Sequence, residues 1–78
     1  MQEFEIRLRS VQDVQEFVAL ATNQVFPVSV GNRDHQVNGK SFMEMFCLDF
    51  TKPLFATVKC SEQELLAFRA AIERFLAK

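Results

Sequence analysis

Serine stands three residues before an acid at Ser10 and Asp13, at Ser41 and Glu44, and at Ser61 and Glu64. That spacing is a capping box. The serine hydroxyl accepts the backbone N–H of the third helical residue, and the acid reaches back to the serine's own N–H. Apolar residues at helical spacing follow each pair, so a helix is expected to open at each. The stretches between them carry strand signals. The chain is therefore expected to alternate strands and helices within one α+β domain, residues 1–78.

The first strand runs from Glu3 to Arg9, with Phe4, Ile6 and Leu8 turned one way and the charges the other. The first helix extends to about Asn23, with Val11, Val14, Phe17, Val18 and Ala21 as its apolar stripe. Phe26 to Val30 form a second strand, and Pro27 places its start there or at a sheet edge. Gly31 to Asp34 form a turn, and His35 to Asn38 a polar third strand paired with the second. A short apolar helix runs from Ser41 through Leu48. Lys52-Pro53 turns the chain into a fourth strand, Leu54 to Cys60, with Leu54, Ala56, Val58 and Cys60 inward. The last helix buries Leu65, Phe68, Ile72, Phe75 and Leu76, and turns Glu62, Arg69, Glu73 and Arg74 to water. The order is β-α-β-β-α-β-α, an antiparallel sheet with helices on one face. A ferredoxin-like split βαβ arrangement also accommodates the first six elements.

Charge and composition exclude several functions. The net charge is −1 and all nine aromatic residues are Phe, so a basic, Tyr- or Trp-studded nucleic-acid surface is not expected. The sequence has no apolar run of membrane-spanning length, and Met1-Gln2-Glu3-Phe4-Glu5 does not read as a signal peptide. A cytoplasmic protein is expected. Cys47 and Cys60 have no metal-ligand spacing, and are expected as a reduced, buried pair. His35 is the only histidine, and it is expected as a surface histidine of the third strand without a role in chemistry. No cofactor, metal or catalytic site is expected, and the chain is not expected to be an enzyme.

The run Val37-Asn38-Gly39-Lys40-Ser41-Phe42-Met43-Glu44-Met45-Phe46-Cys47-Leu48 resembles HPr, the phosphocarrier protein of the bacterial sugar phosphotransferase system. The family carries a similar Val-Asn-x-Lys-Ser-x-Met-x-x-x-x-Leu run into its second helix, and its element order matches over the whole chain. The resemblance implies an open-faced β-sandwich with strand order 1-4-2-3 and three helices on one face. It also implies a phosphorylatable histidine at the start of the first helix, in a Gly-Leu-His-x-Arg-Pro-Ala motif. In some lineages a regulatory serine opens the second helix.

A gap-free alignment back from Ser41 puts the family histidine on Ser10 and the family arginine on Gln12. Imidazole accepts and releases a phosphoryl group near neutral pH, whereas a serine phosphoester transfers onward poorly. Gln12 replaces a forked cationic donor with a neutral amide, and Asp13 would repel phosphate. A histidine carrier is thus not expected. The family's basic contact positions fall on Gln12, Ala19, Thr22 and Glu44, so electrostatic steering toward its usual partners is weakened. The apolar part of that surface persists at Phe42, Met43 and Phe46.

The resemblance, with these replacements, implies a regulatory, protein-binding relative of the phosphotransferase carriers. Its partners would be system components or a regulator, and Ser41 its phosphorylation site. Two alternatives stay open: a carrier that uses a displaced residue, and a ferredoxin-like binding module unrelated to sugar transport. Ser41 reads first as a plain N-cap, which needs no phosphate. Phe42, Met43, Met45, Phe46 and Phe50 put more apolar bulk into nine residues than one helix can direct into a core, so the rest are expected in a contact patch or a dimer surface.

Overall fold

The computed structural model describes residues 2–32 and 34–77. Arg33 of the expected turn, and the two terminal residues of the expected domain, lie outside the described residues. The elements are β1 (Gln2–Ile6), α1 (Val11–Thr22), β2 (Val28–Gly31), β3 (Gln36–Asn38), α2 (Phe42–Met45), β4 (Leu54–Val58) and α3 (Glu62–Ala71). A 3₁₀ turn, Glu73–Phe75, follows. The strands form one antiparallel sheet in the order β1-β4-β2-β3. The fold is therefore the expected open-faced α+β sandwich.

Alternation decides which face is covered. Ile6, Val28, Val30, Val37, Leu54, Ala56 and Val58 are all buried, while Glu3, Glu5, Gln36 and Asn38 on the other face are exposed. The helices close the core with Val14, Phe17, Ala21, Met45, Phe68 and Ile72. Four phenylalanines knit this layer. Phe17 meets Phe68 and Phe75 edge-on at 6.4 and 6.0 Å between centroids, and Phe26 meets Phe68 at 5.6 Å. Such pairs add roughly 0.5–1.5 kcal/mol each beyond burial alone.

Several boundaries differ from expectation, each for a local reason. β1 stops at Ile6, because its partner β4 begins at Leu54, opposite Ile6, directly after Pro53. Arg7 and Ala77 hydrogen-bond across the free edge of β1: Arg7 N–H donates to the Phe75 carbonyl at 2.7 Å, and Ala77 N–H to Glu5 at 3.0 Å. That pairing ends α3 early. The tail turns at Ile72 so that Phe75 enters the core and Leu76 bridges to Ile6. α2 stops at Met45, and Cys47 and Leu48 donate to carbonyls three residues back. This tighter winding aligns residues i and i+3, bringing Met45 and Leu48 together on the buried side. Val11, expected on the buried stripe of α1, is exposed at the helix start.

Gly31 belongs to β2 and opposes Gln36 rather than starting the turn. A Cβ there would lie 2.0 Å from the His35 carbonyl oxygen, so the hairpin closes only over glycine. Pro27 marks the start of β2, which lies inside the sheet between β4 and β3.

On the open face, Thr57 stands between Glu3 and Ser29 in register. Its hydroxyl is buried without a hydrogen-bond partner among the described residues. An unsatisfied buried hydroxyl is destabilising, and an isosteric methyl is not. Thr57→Val is expected to raise the unfolding free energy by about 1 kcal/mol, read from the urea midpoint at unchanged slope.

Candidate functional site

A groove lies where the end of β1, the start of α1 and the α2–β4 connection meet. It encloses about 790 Å³ and is lined by residues 6–11, Val14, Phe46, Leu48 and residues 50–54. Ser10 sits at its edge as the N-cap of α1, with extended backbone and its hydroxyl accepting the Asp13 N–H at 3.1 Å. The reciprocal half of the box is absent. Asp13 instead accepts the Arg9 N–H at 2.9 Å, tying the loop before the helix to its first turn. Gln12 is exposed on that turn.

α2 opens in the same unreciprocated way. Ser41 Oγ accepts the Glu44 N–H at 3.3 Å, while the Glu44 carboxylate reaches past Ser41 to the Asn38 N–H. Ser41 N–H donates to the Asn38 carbonyl at 3.0 Å. The neighbouring Lys40 ammonium is held by the Gln24 carbonyl at 2.7 Å. Only Ser61 forms the complete reciprocal box, with Glu64 accepting the Ser61 N–H at 3.0 Å.

The apolar cluster of the second helix divides. Met45 is wholly buried, and Phe42 and Phe50 are half-buried against the core. Met43 is 78% exposed and Phe46 43%. The Phe46 ring leans edge-on against Phe42 with centroids 4.5 Å apart. Phe46 also lines the groove.

His35 is not in a strand. It is exposed in the β2–β3 connection, with its N–H and that of Asp34 donating to Asn32 Oδ1, both at 2.9 Å. Strand register puts this hairpin and the Ser10 loop at the same end of the sheet. Three strand spacings separate their strands, about 14 Å, and His35 does not line the groove. Cys47 is exposed rather than buried, and its thiol points at the Met43 carbonyl. Cys60 is half-buried; burial pushes its thiol pKa up, aided by the Glu64 charge. Among the described residues no group of three or more His, Cys, Asp and Glu side chains is placed to hold a metal, and no helix is long and apolar enough to cross a membrane.

Arg7, Arg9 and Lys52 also line the groove, and the motif comparison did not single them out. The signal was present in the alternation of Arg7-Leu8-Arg9: burying Leu8 turns both neighbouring side chains outward. A second cleft of about 470 Å³ continues from Arg7 and Arg9 to Asp13 and the tail. Its third arginine, Arg74, pairs with Glu16 and lies over the Phe75 ring.

This architecture is that of an HPr-like open-faced sandwich. The crystal structure of HPr-C-His from Thermoanaerobacter tengcongensis shares it, with a TM-score of 0.73 over 94% of this chain and 92% of that one. Sequence identity is 21%, so the likeness is one of fold. No protein-family model matches the chain, and no curated protein is significantly similar to it in sequence.

The α2–β4 connection that walls the groove is fixed by Asp49. Its carboxylate accepts both the hydroxyl and the N–H of Thr51, and Lys52 stands 4.0 Å away. The Thr51 hydroxyl first, then the Thr51 N–H, hold this carboxyl below its ordinary 3.8, against slight desolvation. A carboxyl whose pKa is lowered by folding contributes stability above its unfolded pKa, and that contribution disappears as pH falls through the folded one. Asp49→Asn keeps an acceptor oxygen but not the charge. The stability difference between wild type and this variant, followed by urea denaturation, is expected to be constant around neutral pH and to close below 3.8.

Proposed function

We propose that the chain is a protein-binding regulatory module built on the HPr-like fold, that it does not pass phosphate through histidine, and that phosphorylation at Ser41 modulates it. The observation that carries this reading is the start of α1. Ser10 there spends its hydroxyl on the Asp13 N–H, Gln12 offers no charge, and His35 lies across the sheet in a hairpin. The contact surface in this reading is Phe42, Met43 and Phe46, with Met43 and Phe46 exposed and Phe42 supporting the Phe46 ring. Its partners are cytoplasmic proteins of the phosphotransferase type or their regulators, and the module itself catalyses nothing.

Ser41 suits a switch because of what Glu44 holds. A phosphate adds roughly −1.5 to −2 charges, three residues from a carboxylate that closes over the Asn38 N–H. Repulsion would pull Glu44 off the β3 edge and reshape the surface beside Met43 and Phe46. Unphosphorylated, Ser41 remains an N-cap worth about 1 kcal/mol.

Two labelling experiments and one variant test the proposal. Incubation with labelled phosphoenolpyruvate and the enzyme that charges HPr proteins is expected to leave the chain unlabelled; acid-labile label on His35 would sink it. A serine kinase with ATP is expected to give acid-stable label that Ser41→Ala abolishes. Phe46→Glu should keep the wild-type circular dichroism, because the ring is already part-exposed. Loss of fold in that variant would make Phe46 core and remove it from the contact surface.

A further inference from the structure

We infer that the outer face of α3 is a contact between two copies of this chain, which pair antiparallel through Leu66, with Glu62 of each copy against Arg69 of the other. This surface is separate from the α2 patch and from the groove, so the inference goes beyond the reading above and does not depend on it. At 3.6 residues per turn, burying Phe68 and Ile72 turns Gln63, Leu66 and Ala70 to the opposite side of the helix. All three are exposed, and Leu66 is 62% exposed, the one large apolar side chain that α3 leaves uncovered. Ala67 and Ala70 beside it are small, so the axis of a second helix can approach closely. None of these residues lines the groove or the second cleft.

Charge selects the occupant. Glu62 and Arg69 are separated by two helical turns, so both lie on one flank of the Leu66 stripe. Both are exposed, and neither has a side-chain partner among the described residues. Arg74, the next cation along, is already held by Glu16 and the Phe75 ring. A two-fold axis that sets Glu62 of one copy against Arg69 of the other makes both ion pairs at once, because a symmetric interface repeats every contact. That axis must cross α3 midway between the two residues, at the level of Leu65 and Leu66. Leu65 is half-buried against the core, and Leu66 faces outward. The charges and the exposed leucine therefore give the same centre independently, and Leu66 meets its own copy there. The acidic first turn of each helix, Glu62 and Glu64, points toward the end of the other that carries Arg69. A parallel pair would set Glu62 against Glu62 and Arg69 against Arg69, so it is disfavoured. One ten-residue helix from each copy covers less than the roughly 1,200 Å² of a stable complex, so the dimer is weak and depends on concentration.

Sedimentation equilibrium and amide shifts of the ¹⁵N-labelled full chain test this. With rising concentration the wild type is expected to pass from monomer to dimer, with shifts centred on Gln63, Leu66 and Ala70. Leu66→Gln and Arg69→Glu should each weaken association about tenfold with unchanged circular dichroism, since both side chains are exposed. Should either variant lose its fold, Leu66→Ala and Arg69→Gln carry the same test. The decisive experiment mixes two charge-reversed chains. Arg69→Glu and Glu62→Arg each repel their own kind, and together they should form a heterodimer. The inference is overturned if the wild type stays monomeric at the concentrations used for the spectra, if the two reversed chains do not associate, or if Leu66→Gln dimerises as well as wild type. It is also overturned if Phe46→Glu abolishes a dimer that Leu66→Gln leaves intact, because the contact would then lie on α2.

Discussion

The edge-to-face contact of Phe17 with Phe68 and Phe75 holds the rest of the structure in place. Phe17 projects from α1, Phe68 from α3 and Phe75 from the tail, and all three are buried. A chain this short buries few side chains of such size, so each carries a large share of the core. The Phe75 anchor has a second consequence. With its ring seated against Phe17, the tail must run beside β1, where its carbonyl and the Ala77 N–H satisfy the strand's free edge. An uncovered edge invites pairing with another chain, and here the tail covers its end at Glu5 to Arg7. The same contact holds the tail against Arg7, just beyond the end of β1.

The serine caps show how one local motif serves two purposes. At Ser61 the reciprocal box is complete, and its work is confined to opening α3. At Ser10 and Ser41 the acid abandons the serine's N–H for a backbone donor further back, Arg9 in one case and Asn38 in the other. Each acid thereby staples a helix to the segment before it. α1 and the segment after α2 border the groove, so both of these staples lie beside it.

Much of this was legible in the sequence because it depends on period and on capping. The alternation of β1, β2 and β4 assigned the buried face, and Ser10, Ser41 and Ser61 marked every helix start. Helix ends were less legible. α2 and α3 stop early because Leu48 and Phe75 must reach the core, and that demand comes from residues distant in sequence. The exposure of Val11 and Cys47 was hidden for the same reason: periodicity identifies an apolar stripe but not where the opposing layer runs out. In the candidate site, Ser10, Ser41 and the apolar trio could be singled out by position. The outward turn of Arg7 and Arg9 was legible in the alternation around Leu8, but their meeting with Lys52 was not, because it forms only after β1 and β4 pair.

That assembly bears on how charge is distributed over the chain. A net charge of −1 suggests a surface with no electrostatic preference, yet net charge says little about local fields, which fall off over about 8–10 Å at physiological salt. Arg7, Arg9 and Lys52 fall on one groove, while Glu3 and Glu5 fall on the open sheet face of the adjoining strand. The boundary between them is Ile6, where the strand stops and its side-chain alternation passes into the loop. The polarity of the molecule therefore follows from one structural event. Pro53 ends the pairing of β4, and the residues released beyond Ile6 are the basic ones.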